Sequence, residues 1–72
     1  MNNMDSHYKR ADIDVLDFME MTFKQDEFRG FLKGNALKYI DRCYYKGSTI
    51  QDLKKAIVYL ERLIEFEKKI KE

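Results

Sequence analysis

Thr49-Ile50-Gln51-Asp52-Leu53-Lys54-Lys55-Ala56-Ile57-Val58-Tyr59-Leu60-Glu61-Arg62-Leu63-Ile64 is the stretch that decides the fold. Leu53, Ala56, Ile57, Leu60 and Ile64 recur at steps that keep them on one helical face, and no alternation of the strand kind runs through them. Thr49 with Asp52 three residues later resembles a capping box, with Asp in the usual Glu position. A helix is therefore expected to open at Thr49 and to run to about residue 70. Tyr59, Leu63, Phe66 and Ile70 form a second apolar flank on it. A three-helix subunit has difficulty covering both flanks. The surplus predicts either a self-association surface or a folded-back N-terminal arm.

Working outward, Gly47 reads as a left-handed terminator of a preceding helix over about 27–46. Gly30 and Gly34 lie inside that helix, where each costs about 1 kcal/mol relative to Ala. Two readings account for the pair. Either another backbone or a ligand packs closely against them, or the chain opens at Gly34 and Asn35 caps a fresh helix. A first helix is expected over about 12–24 with Asp12 as its cap. Its apolar residues run from Ile13, Val15 and Leu16 through Phe18, Met19 and Met21 to Phe23. That set is too broad for one stripe and predicts burial on more than one side. Gln25-Asp26 should break the chain before the second helix. Residues 1–11 read as an extended arm, and Lys68 to Glu72 as a solvated end. The expected class is all-α: one compact three-helix domain over 1–72, with an N-terminal arm, assembling into a homo-oligomer.

Composition agrees with this and narrows the function. Proline is absent and glycine occurs three times, so helix breakers are few. Cys43 is the only cysteine, which excludes disulfide staples and a CxxC zinc site and suggests a reducing compartment. No apolar run is long enough to span a bilayer, and the N-terminal stretch lacks the charged-then-apolar layout of a signal peptide. A cytoplasmic location is the expectation. The net charge of +1 gives no general attraction to nucleic acid or to anionic lipid. The charges are nevertheless segregated: residues 12–27 are acidic and residues 29–46 basic.

Within the basic segment, Asn35, Lys38, Arg42 and Lys46 fall on one strip of the second helix at about 100° per residue. Cations on one strip repel unless an anion lies near them. The anion would be a phosphate-bearing ligand, or an acid of the first helix such as Asp14, Asp17 or Glu20. Tyr39 lies on the strip, and Tyr44, Tyr45, Tyr8 and Tyr59 are candidates to join it. An aromatic face can hold a base while Arg and Lys hold its phosphates. His7-Tyr8-Lys9 sets the only histidine beside an aromatic and a cation. Signatures of other chemistries are missing: no GxxxxGK[ST] loop and no GxSxG elbow occur. Glu61 and Glu65 are one turn apart but are expected to pair with Arg62, Lys68 or Lys69 at the surface. No metal site is expected.

The segments His7-Tyr8-Lys9, Glu27 to Arg42 (EFRGFLKGNALKYIDR), Asp52-Leu53-Lys54-Lys55-Ala56 and Tyr59-Leu60 together resemble the phage domain-of-unknown-function family 3310. The resemblance spans residue 7 to about 64, and its GN..KY..R core followed by DL.KA..YL is its specific part. It implies a bacteriophage origin and a connection with nucleotides, since such domains often carry a nucleotide-kinase label. The residues matching the family pattern and forming the strip coincide: Lys33, Asn35, Lys38, Tyr39, Arg42 and Lys46. His7, Tyr8 and Lys9 are placed to fold over it. The expected function is binding of a nucleotide or cyclic nucleotide, without turnover and with no required cofactor. One role is capture of a cyclic nucleotide signal of host anti-phage defence. Two alternatives stand beside it. One is a nucleoside monophosphate kinase with His7 as acid–base and Mg²⁺ carried by the nucleotide, Asp41 or Asp52. The other is a helical module that binds a host protein.

Overall fold

A computed structural model of the chain describes residues 14–45 and 47–71. The described residues form three helices and no strand: α1 (Val15–Thr22), α2 (Gln25–Arg42) and α3 (Thr49–Lys71). The all-α, three-helix expectation is met. The arm at residues 1–11, the Asp12 cap and Lys46 lie outside the described residues.

Each helix start has an identifiable local cause. Asp14 caps α1, its carboxylate accepting the Asp17 N–H at 2.9 Å. Phe23 and Lys24 are both extended, which ends α1 and sets the entry to α2. The break therefore falls two residues before the expected Gln25-Asp26, and Gln25 already belongs to the helix. The Glu27 carboxylate reaches back to accept the Lys24 N–H at 2.8 Å, satisfying a donor at the helix start.

The other end of α2 differs from expectation. The helix stops at Arg42, not near residue 46. The Cys43 N–H bonds back to Ile40 and the Tyr45 N–H to Arg42, each spanning three residues, so the chain tightens out of the α-helical ladder. Gly47 has φ +78°, but it serves the link ahead of α3 and does not terminate α2. The Asp52 N–H bonds to the Ser48 carbonyl at 2.8 Å. Ser48 thus occupies the cap position, one residue earlier than the predicted box, and Thr49 is already helical. Asp52 does not cap at all, because its carboxylate is engaged with Arg42.

α2 and α3 pack as an antiparallel hairpin. Phe28 meets Phe66 edge-on at 4.9 Å near one end, and Arg42 meets Asp52 near the other. Phe28 and Leu32 are fully buried, with Ala36, Cys43 and Ala56 nearly so. On α3 the packing line runs through Asp52, Ala56, Tyr59, Leu63, Phe66 and Ile70. The two apolar flanks of α3 have thus exchanged the expected roles: the Tyr59/Leu63/Phe66/Ile70 flank makes the core, and Leu53, Ile57, Leu60 and Ile64 are exposed. The reason is the register set by the Phe28–Phe66 contact and the Arg42–Asp52 pair, which turns the former flank toward α2.

α1 is an outlier in another way. It contains no buried residue, and Val15, Phe18 and Met21 are exposed among the described residues. The expectation of burial on more than one side does not hold there. Phe23 touches Phe31 edge-on at 6.4 Å, Leu16 and Met19 are partly buried, and ion pairs tie α1 to α3. Arg62 donates to both Asp17 and Glu20, and Lys69 to Glu20 at 2.8 Å. Among the described residues, neither the α1 acids nor Glu61 and Glu65 have the partners the sequence suggested, because Arg62 and Lys69 turn toward α1.

These pairs tie stability to pH. The Lys69 ammonium, helped by Arg62 and opposed by partial burial, holds the Glu20 carboxyl below its ordinary value. The Arg29 guanidinium does the same for Glu67, bonding it at 2.6 and 2.9 Å. A depressed folded value contributes stability that is complete above the unfolded value of about 4.3 and is lost as pH falls through the folded value. The denaturation midpoint is therefore expected to fall as pH drops below about 4.3, and Glu20→Gln should flatten part of that slope. A midpoint that is level from neutral pH down to about 3 would show that these pairs do not act this way.

Gly30 and Gly34 sit in an unbroken helix, and Asn35 is not a cap. Its side-chain amide donates to the Phe31 carbonyl one turn back at 2.8 Å. A Cβ built at either glycine meets nothing within 4 Å among the described residues. Gly30→Ala and Gly34→Ala are each expected to stabilise by about 0.5–1 kcal/mol in thermal or urea unfolding. A loss of stability in either variant would mean that something does pack on that side.

Candidate functional site

Near the hairpin link, residues one position before the packing line of each helix turn to a common side. Lys38 precedes Tyr39 on α2, and Lys55 precedes Ala56 on α3. Both converge on Tyr39: the Lys38 Nζ lies 4.7 Å from the ring centroid, the Lys55 Nζ 5.3 Å and the Arg42 Cζ 5.0 Å. The ring is half-buried and stacks on Tyr59 at 5.9 Å with an interplanar angle of 12°. Phe31 meets Tyr59 edge-on at 6.2 Å, so an aromatic row runs from Phe23 beside α1 to the cation cluster.

The electrostatics of the three cations differ. The Arg42 guanidinium forks onto Asp52, donating from Nε at 3.2 Å and from an Nη at 3.3 Å. Asp52 is only 1% exposed, so this carboxylate is a structural counter-ion inside the hairpin. Among the described residues no carboxylate lies within ion-pair distance of Lys38 or Lys55. Three charges about 5 Å from a common point are at most about 10 Å from one another, where like charges in water repel by roughly 0.4 kcal/mol per pair. An anion placed between them reverses that term. The exposed side of Tyr39 supplies a π face on which the cations already sit.

The strip expected from the sequence is thus assembled in part. Lys38, Tyr39 and Arg42 come together as predicted. Asn35 lies on the same side, with its amide bonded to Phe31. Lys33 does not join them: five positions from Lys38, it projects about 140° away round the helix. His7, Tyr8, Lys9 and Lys46 lie outside the described residues. Tyr44 and Tyr45 are exposed, and neither takes part in the ring stack. Asp41 is exposed, and Asp52 is committed to Arg42. Among the described residues no group of three His, Cys, Asp or Glu is placed to hold a metal ion, and no helix is long and apolar enough to cross a membrane.

Two participants escaped the sequence reading. Lys55 comes from the third helix, and only the antiparallel register brings it to Tyr39. Asp52 carries an available signal, since an acid in the first turn of the helix that follows a basic segment across a short link is placed to pair with it. The local spacing suggests only a cap, or a Mg²⁺ carrier in the kinase alternative.

Fold and site together define a small all-α protein whose helical hairpin displays a cation–tyrosine cluster beside its link. The chain belongs to the family described as "Protein of unknown function (DUF3310)", whose model matches residues 2–61. Comparison with curated proteins and with solved structures finds no match.

Proposed function

We propose that the protein binds a phosphate-bearing nucleotide on the exposed side of Tyr39 and does not turn it over. The observation that carries this reading is the convergence of Lys38, Arg42 and Lys55 on one tyrosine ring, with only Arg42 matched by an acid among the described residues. In this reading Lys38 and Lys55 swing off the exposed face of Tyr39 to hold phosphate oxygens, the ring face they leave takes the base, and Arg42, braced by Asp52, fixes the edge of the site. The family resemblance adds a connection with nucleotides. A cyclic nucleotide of host defence against phage is one ligand of this chemistry, and capture without turnover is the role that a binding-only site serves.

The test uses purified full chain with a panel of mono-, tri- and cyclic nucleotides, with and without Mg²⁺. Melting temperature and product formation are followed together. At least one nucleotide is expected to raise the melting temperature and to be recovered unchanged. Lys38→Ala and Lys55→Ala are each expected to weaken its binding by about tenfold, or about 1.4 kcal/mol, and added salt should weaken it further. Arg42 is unsuited to this comparison because its removal disturbs the hairpin itself. A new phosphorylated product would replace the reading with a kinase. No response to any nucleotide, or unchanged affinity in both lysine variants, would remove it.

A further inference from the structure

The residue following each packing position points to the side opposite the cation cluster. Arg62 and Ile64 flank Leu63, one position either way, and so lie about 100° to either side of it. Arg62 reaches α1, whereas Ile64 is exposed. The same holds for Lys55 and Ile57 around Ala56, and for Lys38 and Ile40 around Tyr39. Because α2 and α3 are antiparallel, equal rotations on the two helices lead to the same face of the hairpin. On α3 that face carries Ile50, Leu53, Ile57, Leu60 and Ile64, exposed by 39% to 68%. Leu37, Ile40 and Tyr44 of α2 join them, exposed by 45% to 81%. α1 covers the other side and leaves this one open.

We propose that this face is the interface of a homodimer in which α3 packs antiparallel on α3 of a second copy. The α3 residues repeat at three and four without a break, with Ile at 50, 57 and 64 and Leu at 53 and 60, the alternation of a coiled-coil seam. The patch is on the order of 800 Å² per copy, the area of a standard interface and more than a monomer commonly leaves in one apolar patch. Residues 1–13 are a poor cover for it, since they bring only Met1, Met4, Tyr8, Ala11 and Ile13. Charge fixes the direction. A two-fold axis between Ile57 and Leu60 sets Leu53 against Ile64 of the partner subunit and Ile57 against Leu60 of the partner subunit. It also brings Lys54 beside Glu61 of the partner subunit, twice. A parallel pairing would set each of these charges level with its like. The interface is independent of nucleotide binding, because the Tyr39 cluster faces away from it and each copy keeps a whole site.

Sedimentation equilibrium on the full chain tests this. The expected mass is twice 8.7 kDa. Ile57→Glu with Leu60→Glu should give a monomer whose circular dichroism stays helical, since both side chains are exposed in the single copy. As milder variants, Lys54→Glu and Glu61→Lys should each weaken association about threefold to tenfold, and the two together should restore it. A wild-type mass of 8.7 kDa at every concentration overturns the proposal and leaves the face to residues 1–13 or to a different protein. A larger mass that the Ile57 and Leu60 substitutions do not reduce places the contact elsewhere and overturns it too. Failure of the charge swap to restore association overturns the antiparallel register.

Discussion

Arg42→Met is expected to destabilise the protein by about 3 kcal/mol, far beyond the 0.5 kcal/mol typical of a surface position, although the guanidinium is itself a third exposed. The cost comes from what is left behind. Asp52 is 1% exposed, and without Arg42 its charge is buried with no ion-pair partner among the described residues. The reverse substitution is milder, because Arg42 can turn its head to water when Asp52 becomes Asn; about 1 kcal/mol is expected there. Replacing both by apolar residues should recover much of the loss, as buried ion pairs are often exchanged for packed side chains at little cost. Urea unfolding of the two single variants and the double variant measures all three terms. Equal losses in the two single variants would show that the pair is not an asymmetric anchor.

Phe28→Ala should have an effect of similar size, about 3–5 kcal/mol. The ring is fully buried, lies edge-on to Phe66 at 4.9 Å, and closes the end of the hairpin remote from the link. A chain of 72 residues has a total stability of roughly 4–10 kcal/mol at ordinary values per residue, so this one truncation removes much or all of it. Thermal melts followed by circular dichroism should show a broad, lowered transition or no native baseline. Phe28→Leu, which keeps most of the apolar volume, should retain a cooperative transition. A truncation costing under about 1 kcal/mol would mean that the core lies elsewhere.

Much of the fold was legible because helical periodicity and few breakers leave little else for the chain to do. The long third helix, its start within a residue of Thr49, and the turn region around Gly47 could all be read from local signals. What could not be read was which of two apolar flanks faces inward. Tyr59, Leu63, Phe66 and Ile70 are no more apolar than Leu53, Ile57, Leu60 and Ile64; the choice is made by long-range partners, Phe28 and Arg42. The same register decides the site. Lys38, Tyr39 and Arg42 share a helix and were visible as a strip. Lys55 belongs to another helix, and nothing in local spacing places it there. Lys33 matched the family pattern, but its angle on α2 sets it apart from the cluster, which the spacing alone already implied.

The manner in which α1 is held has a consequence for how the molecule comes apart. With no fully buried residue of its own, α1 hangs on the partly covered Leu16 and Met19, on the aromatic edge of Phe23 beside it, and on the anchor points offered by Arg62 and Lys69. Such an element opens at far lower free energy than the pair of helices beneath it. Its amide protons should exchange with solvent well before those of α2 and α3, and sooner still in strong electrolyte, where its anchors are shielded. Release of this two-turn clasp would bare Phe31 while leaving the rest of the architecture standing.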